Sequence, residues 1–106
     1  MDVPEIDVTE LAARQADGVT IIDVRNQDEY DEAHASGVVL IPLPEFADRF
    51  GEVPTDGPIY VICAAGGRSL KACEFLATKG IEATNIAGGT KAWIAAGLPT
   101  DAGADQ

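Results

Sequence analysis

The chain has 106 residues, the size of one compact domain, with 46% hydrophobic and 24% charged residues, which is a soluble globular composition and not a disordered one. Its formal net charge of -11, from 18 acidic and 7 basic residues, argues against nucleic acid as a partner, because phosphates would be repelled. No apolar run approaches the ~20 residues of a bilayer-spanning helix, so no membrane partner is expected. Small molecules and proteins remain as partners, and the acidic excess reads first as a solubility device. The opening MDVPEID is acidic and lacks the basic and apolar regions of a secretory signal, so a cytoplasmic protein is expected. Two cysteines, Cys63 and Cys73, are too few for a disulfide framework. Ten residues apart and without a nearby histidine, they do not form a zinc site either.

In chain order, EID at 5–7 predicts a short first strand. Asp7 and Glu10 stand in the D-x-x-E capping spacing and open a helix through LAARQA that stops at Gly18. VTIIDV at 19–24 is apolar and β-branched, as a buried parallel strand requires. Asn26, with Glu29 three residues on, caps a short helix through QDEYDEA. VVLIPL at 38–43 predicts another strand, limited by Pro42, and PEFADRF from Pro44 a helix whose first turn suits proline. IYVIC at 59–63 is a third buried strand, followed by a helix through RSLKACEFLATK that Gly80 ends. IEATNIA at 81–87 predicts a strand and TKAWIAA a last helix, closed by Gly97 and Pro99. Only the tail, TDAGADQ, reads as disordered.

Strands without polar alternation, alternating with helices, imply an α/β fold with a parallel sheet covered on both faces. Right-handed crossovers then gather the loops that leave the strands along one edge, where ligands bind in such sheets. Cys63, Asp23 and Arg25 all fall at strand ends on that edge.

CAAGGRS at 63–69 is the most informative stretch. A thiol is a nucleophile only as thiolate, and a free cysteine titrates near ~8.5. Three features here lower that value: the dipole of a helix starting near Ser69, a nest of backbone N–H groups, and the fixed charge of Arg68. Ala64, Ala65, Gly66 and Gly67 are small enough to let those N–H groups turn inward and to leave Cys63 approachable. Gly66 and Gly67 tolerate the positive φ of a tight loop, and Ser69 is a candidate helix cap. A merely buried strand-end cysteine would explain Cys63 but not the glycines, arginine and serine that follow it.

These motifs together resemble the single-domain rhodaneses, a family of sulfurtransferases. CAAGGRS resembles C-x-x-G-x-R-S. IIDVR at 21–25 with Glu29 and Tyr30 resembles D-V-R…E-(Y/F). EAHASGVVLIPL at 32–43 resembles G-H-I-x-G-A-x-N-I-P. GGTKAWIAAGLP at 88–99 resembles the closing G-G-x-x-x-W-x-x-x-G-x-P in full. The departures, Ala33, Ala35 and Leu40, lie away from the loop and bear on local packing. The resemblance implies a rhodanese-like domain over residues 1–100, with a five-stranded parallel sheet and helices on both faces, and a disordered acidic tail over 101–106. It implies that Cys63 takes a sulfane sulfur from a small-molecule donor such as thiosulfate, becomes a persulfide, and passes the sulfur to cyanide in vitro or to a thiol or protein in the cell. The backbone of Ala64 to Ser69 would hold the persulfide, and no metal or organic cofactor is implied. Phosphatases of this fold resemble C-x5-R, with a wider cradle, whereas Arg68 closes C-x4-R here. Sulfur transfer is therefore favoured over a phosphatase or arsenate reductase. A non-catalytic binding module of the same fold is the rival of another class, and an intact Cys63 loop argues against it.

Arg68 either binds a donor's oxyanion or pairs with an acid such as Asp23. The family comparison implies that Asp23 and Arg25 support the site by ion pairing, Arg25 with Glu29. Leu70, Cys73, Leu76 and Ala77 form a helical apolar stripe, so Cys73 reads as core and not as a resolving thiol. His34, the one histidine, reads as a hydrogen-bonded structural residue, and Trp93, Ile94 and Leu98 as core anchors. Gly88-Gly89 is a turn beside the rim. Oligomeric state is not legible.

Overall fold

The computed structural model describes residues 3–103. Two four-residue strands, β2 (Thr20–Asp23) and β5 (Ile59–Ile62), pair in parallel at the centre of a five-stranded sheet. The first strand of the chain is β1 (Glu5–Ile6), β4 is Val39–Leu40 and β6 is Thr84–Ile86. The order is β1-β6-β5-β2-β4, with every pairing parallel. Successive side chains of a strand point to opposite faces, so each apolar run supplies two cores. Ile59 and Val61 join Ile22 on one side; Tyr60 and Ile62 join Ile21 on the other. Helices α3 (Leu43–Arg49) and α4 (Gly67–Thr78) cover the first side with Phe46, Cys73 and Leu76. Helices α1 (Val8–Gln15), α2 (Gln27–Glu32) and α5 (Gly89–Ala95) cover the second with Leu11, Tyr30 and Trp93. The expected α/β architecture is the observed one.

Local signals explain most boundaries. The Asp7 carboxylate caps α1 by accepting the Glu10 N–H at 2.9 Å. The Glu10 carboxylate does not return the favour; Arg14, one turn on, draws it away at 2.8 Å. At α2 the Glu29 carboxylate does reach back, accepting the Asn26 N–H at 3.0 Å. No helix among the described residues is long and apolar enough to cross a membrane.

Four expectations need correction. The run 38–43 is a strand only over Val39–Leu40, because Pro42 lacks an N–H and α3 begins at Leu43. The tail is not disordered from its start. Strand β7 (Thr100–Asp101) pairs antiparallel with a strand the sequence pattern did not predict, β3 (His34–Ala35). Backbone carbonyls hold this ribbon: Pro99 O accepts the Trp93 indole N–H at 2.7 Å, and Asp31 O the Gly103 N–H at 2.8 Å. Residues 104–106 lie outside the described part of the chain. Leu70 and Ile94 are not core residues; they are 36% and 50% exposed, because α4 and α5 turn those positions away from the sheet.

Candidate active site

The carboxyl ends of β2, β5 and β6 set the site. Leaving β5, the chain passes Cys63, loops through Ala64 and Ala65, and enters α4 at Gly67. The N-cap is Gly66, held at φ +115°, a left-handed conformation that side chains rarely adopt. Ser69 therefore does not cap α4, as its position in the sequence had suggested; it sits in the first turn, fully buried, and its hydroxyl turns inward.

What turns the loop's N–H groups toward the sulfur is the start of α5. The first turn of a helix has N–H groups without intrahelical partners. Thr90 N–H donates to the carbonyl of Cys63 at 2.8 Å, and Lys91 N–H to that of Ala64 at 3.1 Å. In a planar trans peptide the C=O and the following N–H point in opposite directions. Fixing Ala64 C=O toward α5 thus aims Ala65 N–H back at the sulfur. The approach is close enough that Gly89 admits no side chain. A Cβ there would run into the Cys63 carbonyl oxygen and lie 2.6 Å from that of Ala64. Gly88-Gly89 is thus more than a turn beside the rim: it lets α5 seat the loop.

The sulfur of Cys63 accepts the Gly66 N–H at 3.0 Å and the Ser69 hydroxyl at 3.3 Å. Burial opposes ionisation, but hydrogen bonds from the Ser69 hydroxyl and from the N–H groups of Ser69, Gly66 and Ala65 outweigh it, and the thiol titrates below its ordinary value. The residue is only 1% exposed. The small loop residues were expected to leave the sulfur approachable; instead they wrap it.

The charged residues pair differently from the expectation. Arg68 forms a two-pronged bridge to Glu29, at 2.7 and 2.9 Å, and not to Asp23. The Arg68 guanidinium holds the Glu29 carboxyl down at about 2. Arg25 pairs with Asp23, not Glu29, through Nη2–Oδ2 at 2.8 Å, and Asp23 also accepts the Arg25 backbone N–H at 3.0 Å. Both are buried, and Arg25 Nη2 donates onward to Ala33 O at 2.9 Å. The exchange follows from reach. Asp23 and Arg25 are two residues apart on extended backbone and share one side, whereas Glu29, in the first turn of α2, faces the incoming Arg68.

Comparison with known proteins gives this site a family. The model of the rhodanese-like domain matches residues 7–96. The chain belongs to the rhodanese-like domain family. A protein of Allochromatium vinosum named sulfurtransferase is 33% identical over 100 residues, covering 92% of this chain and 94% of that one. The putative sulfur carrier protein YrkF of Bacillus subtilis is 34% identical over 94 residues, 86% of this chain and 51% of its own length. The crystal structure of a rhodanese-related protein from Thermoplasma volcanium superposes with a TM-score of 0.86 at 30% identity, over 92% of this chain and 97% of the other. These relatives support a sulfurtransferase-type or sulfur-carrier role.

Within the rhodanese-like domain, several residues gain a place that the sequence reading had not given them. Asn85 of β6, buried, accepts the Ser69 hydroxyl on Oδ1. Its amide Nδ2 donates to Gly66 O at 3.2 Å and to Glu5 at 2.8 Å. It thus holds two of the groups that bond the sulfur. The available signal was an asparagine, a poor strand former, inside the strand run IEATNIA. His34 is hydrogen-bonded as expected, Nδ1 donating to Tyr30 O at 2.8 Å, and it is buried, stacked on the Tyr30 ring at 3.7 Å. Cys73 sits in the core, and burial pushes its thiol up to about 12.

Proposed function

We propose that this rhodanese-like domain is a cytoplasmic sulfurtransferase with Cys63 as its nucleophile. One observation carries the reading: a buried thiol ringed by N–H and O–H donors that favour its thiolate. The Cys63 thiolate attacks the sulfane sulfur of a donor such as thiosulfate. A bond forms between the two sulfurs, and the donor's own S–S bond breaks, its electron pair leaving with sulfite. The persulfide's outer sulfur carries the negative charge and stands about 2 Å beyond Sγ. The backbone donors of Ala64 to Ser69 stabilise charge there as they do on the thiolate. A thiol, a protein or, in vitro, cyanide then removes the outer sulfur in a second displacement. No general base is needed when the thiolate is already formed. Arg68, committed to Glu29, shapes the loop rather than waiting as a free cation.

The test is intact mass after incubation with thiosulfate, for the wild type and Cys63→Ser. The expected result is a gain of one sulfur on the wild type alone, removed by cyanide. Sulfur on both proteins would make Cys73 the reactive thiol. Sulfur on neither, with mercaptopyruvate and an alkyl persulfide as well as thiosulfate, would leave the domain a binding module and overturn the reading.

A further inference from the structure

One proton beside the nucleophile has two claimants. The Ser69 hydroxyl, fully buried in the first turn of α4, lies 2.5 Å from Asn85 Oδ1 and 3.3 Å from Cys63 Sγ. A hydroxyl carries a single proton and donates it in one direction at a time. Which end of the Asn85 amide faces the serine is set by its other neighbours. Nδ2 stands 2.8 Å from the Glu5 carboxylate of β1 and 3.2 Å from the Gly66 carbonyl, and both of these accept and do not donate. Turned about, the amide would set its oxygen against two acceptors. Oδ1 therefore faces Ser69, and since an amide oxygen has no proton to give, the serine is the donor across this contact.

The two claims change in relative strength with the state of the sulfur. A hydrogen bond to an ionised acceptor is roughly twice as strong as one between neutral groups. When Cys63 is a thiolate, Sγ competes for the proton. When Cys63 is a thiol, or is bonded to a second sulfur, the charge on Sγ is gone and the nearer Asn85 oxygen holds it. The other charged and titratable groups around the loop do not enter this contest. Arg68 is paired with Glu29 and Arg25 with Asp23, Cys73 is in the core, and Glu5 meets the far end of the amide. Among the described residues none of them bonds the Ser69 hydroxyl.

We propose that Asn85 is a positioning residue for sulfur transfer: it draws the Ser69 proton away from Sγ and keeps the Cys63 thiolate less stable than the donors of the loop alone would make it. The inference rests on the persulfide reading given above. In loading, the thiolate attacks the sulfane sulfur, the donor's S–S bond breaks, and sulfite leaves with its electron pair. The new S–S bond takes the charge off Sγ, and the hydroxyl turns to Asn85. In discharge, the acceptor attacks the outer sulfur, the bond to Sγ breaks, its electron pair returns to Sγ, and the hydroxyl turns back. No proton changes residue; only the direction of the O–H bond changes. A less stabilised thiolate is a better nucleophile and a poorer leaving group. Asn85 thus favours loading over discharge and sets the balance between the two half-reactions.

Asn85→Leu replaces the amide with an apolar side chain of similar size and leaves Sγ as the remaining claimant. The Cys63 titration midpoint, from iodoacetamide rates against pH, is expected to fall by about half a unit to one unit. Loss of a merely structural residue would loosen the donors and raise it. In a Ser69→Ala background the same substitution should not lower the midpoint, because there is no hydroxyl proton to release. A midpoint that does not fall in Asn85→Leu, or that falls equally in both backgrounds, overturns the proposal. Above the midpoints of both proteins, thiosulfate loading should slow and discharge to cyanide quicken, each about two- to threefold. Rates that do not move in opposite directions overturn the role in transfer. A second measurement needs no variant at Asn85. The side-chain carbonyl carbon resonance of Asn85 in the wild type should move with the Cys63 midpoint, and far less in Ser69→Ala. Equal movement in the two proteins overturns the proposal. A lowered midpoint in a protein that no sulfur donor loads would retain the hold of Asn85 on the proton and refute the sulfurtransferase reading instead.

Discussion

Ser69→Ala isolates what the hydroxyl does for the thiolate. In the structure Ser69 Oγ lies 3.3 Å from Cys63 Sγ, and it is the strongest of the groups that lower the thiol. A hydrogen bond to a charged group contributes about 1.5–3 kcal/mol. The competing claim of Asn85 Oδ1 on the single hydroxyl proton puts it at the lower end. About 1.4 kcal/mol is one pKa unit. The variant should therefore raise the Cys63 titration midpoint by about one unit and, below that midpoint, slow alkylation about tenfold. The assay is the iodoacetamide rate as a function of pH. Cys73 does not confuse it, being buried with its thiol pushed up to about 12. The sign is fixed, since removing a donor to the thiolate can only move the midpoint up. A midpoint unmoved or lowered in a variant that keeps its fold would refute the claim that side-chain and backbone donors activate this thiol.

Other outcomes follow from the same geometry. Gly89→Ala should displace the loop, because a Cβ would stand 2.6 Å from Ala64 O and the residue has φ +58°; a lower urea midpoint and a higher Cys63 titration midpoint are expected together. Glu29→Gln should flatten the acid limb of stability. With its carboxyl held at about 2 in the fold, Glu29 contributes stability above its ordinary 4.5 that is lost as pH falls from 4.5 toward 2. Urea midpoints across that window should converge for wild type and variant at the acid end. Asn85→Ala should cost about 1–3 kcal/mol by removing a buried amide that accepts from the Ser69 hydroxyl and donates to Gly66 O and Glu5, read as a urea-midpoint shift at constant m-value. Thiosulfate loading should be slow at low salt and rise as salt screens the -11 chain, measured as the loading rate across an ionic-strength series; a fall with salt would show that repulsion does not limit capture.

Much of this was legible from the residues alone, because the signals were local. Apolar runs such as IYVI gave the strands, and Asp7 and Asn26 gave the helix starts. Cys63 could be singled out because glycines and a helix follow it at once. What escaped was decided by partners distant in sequence. Arg68 and Glu29 are 39 residues apart, and Ser69 and Asn85 16 apart. Nothing in spacing says which of two carboxylates an arginine will meet. The β3–β7 ribbon escaped for the same reason: two-residue strands carry almost no pattern, and only the carbonyls of Pro99 and Asp31 fix them. Ile94 misled because it directly follows Trp93, and one residue along a helix is a turn of about 100°, which carries Ile94 off the buried face.

The pairing of the arginines changes how the thiol is activated. Read from the sequence, Arg68 adds a positive charge beside the sulfur and either binds a donor's oxyanion or pairs with an acid such as Asp23. In the fold both arginines of the site are neutralised, Arg68 by Glu29 and Arg25 by Asp23. A chain of net charge -11 thus stabilises one more negative charge with dipoles: three backbone N–H groups and a hydroxyl, all within hydrogen-bond reach of one buried atom. Such donors act at contact distance in a site from which water and counter-ions are excluded, so salt screens them little, whereas the long-range repulsion of an approaching dianion is screened within about 10 Å at 0.1 M. The two effects separate in one experiment. Across an ionic-strength series the Cys63 titration midpoint should stay nearly constant while thiosulfate loading accelerates. A midpoint that climbed steeply with salt would mean that a diffuse positive field, and not the ring of donors, holds the thiolate.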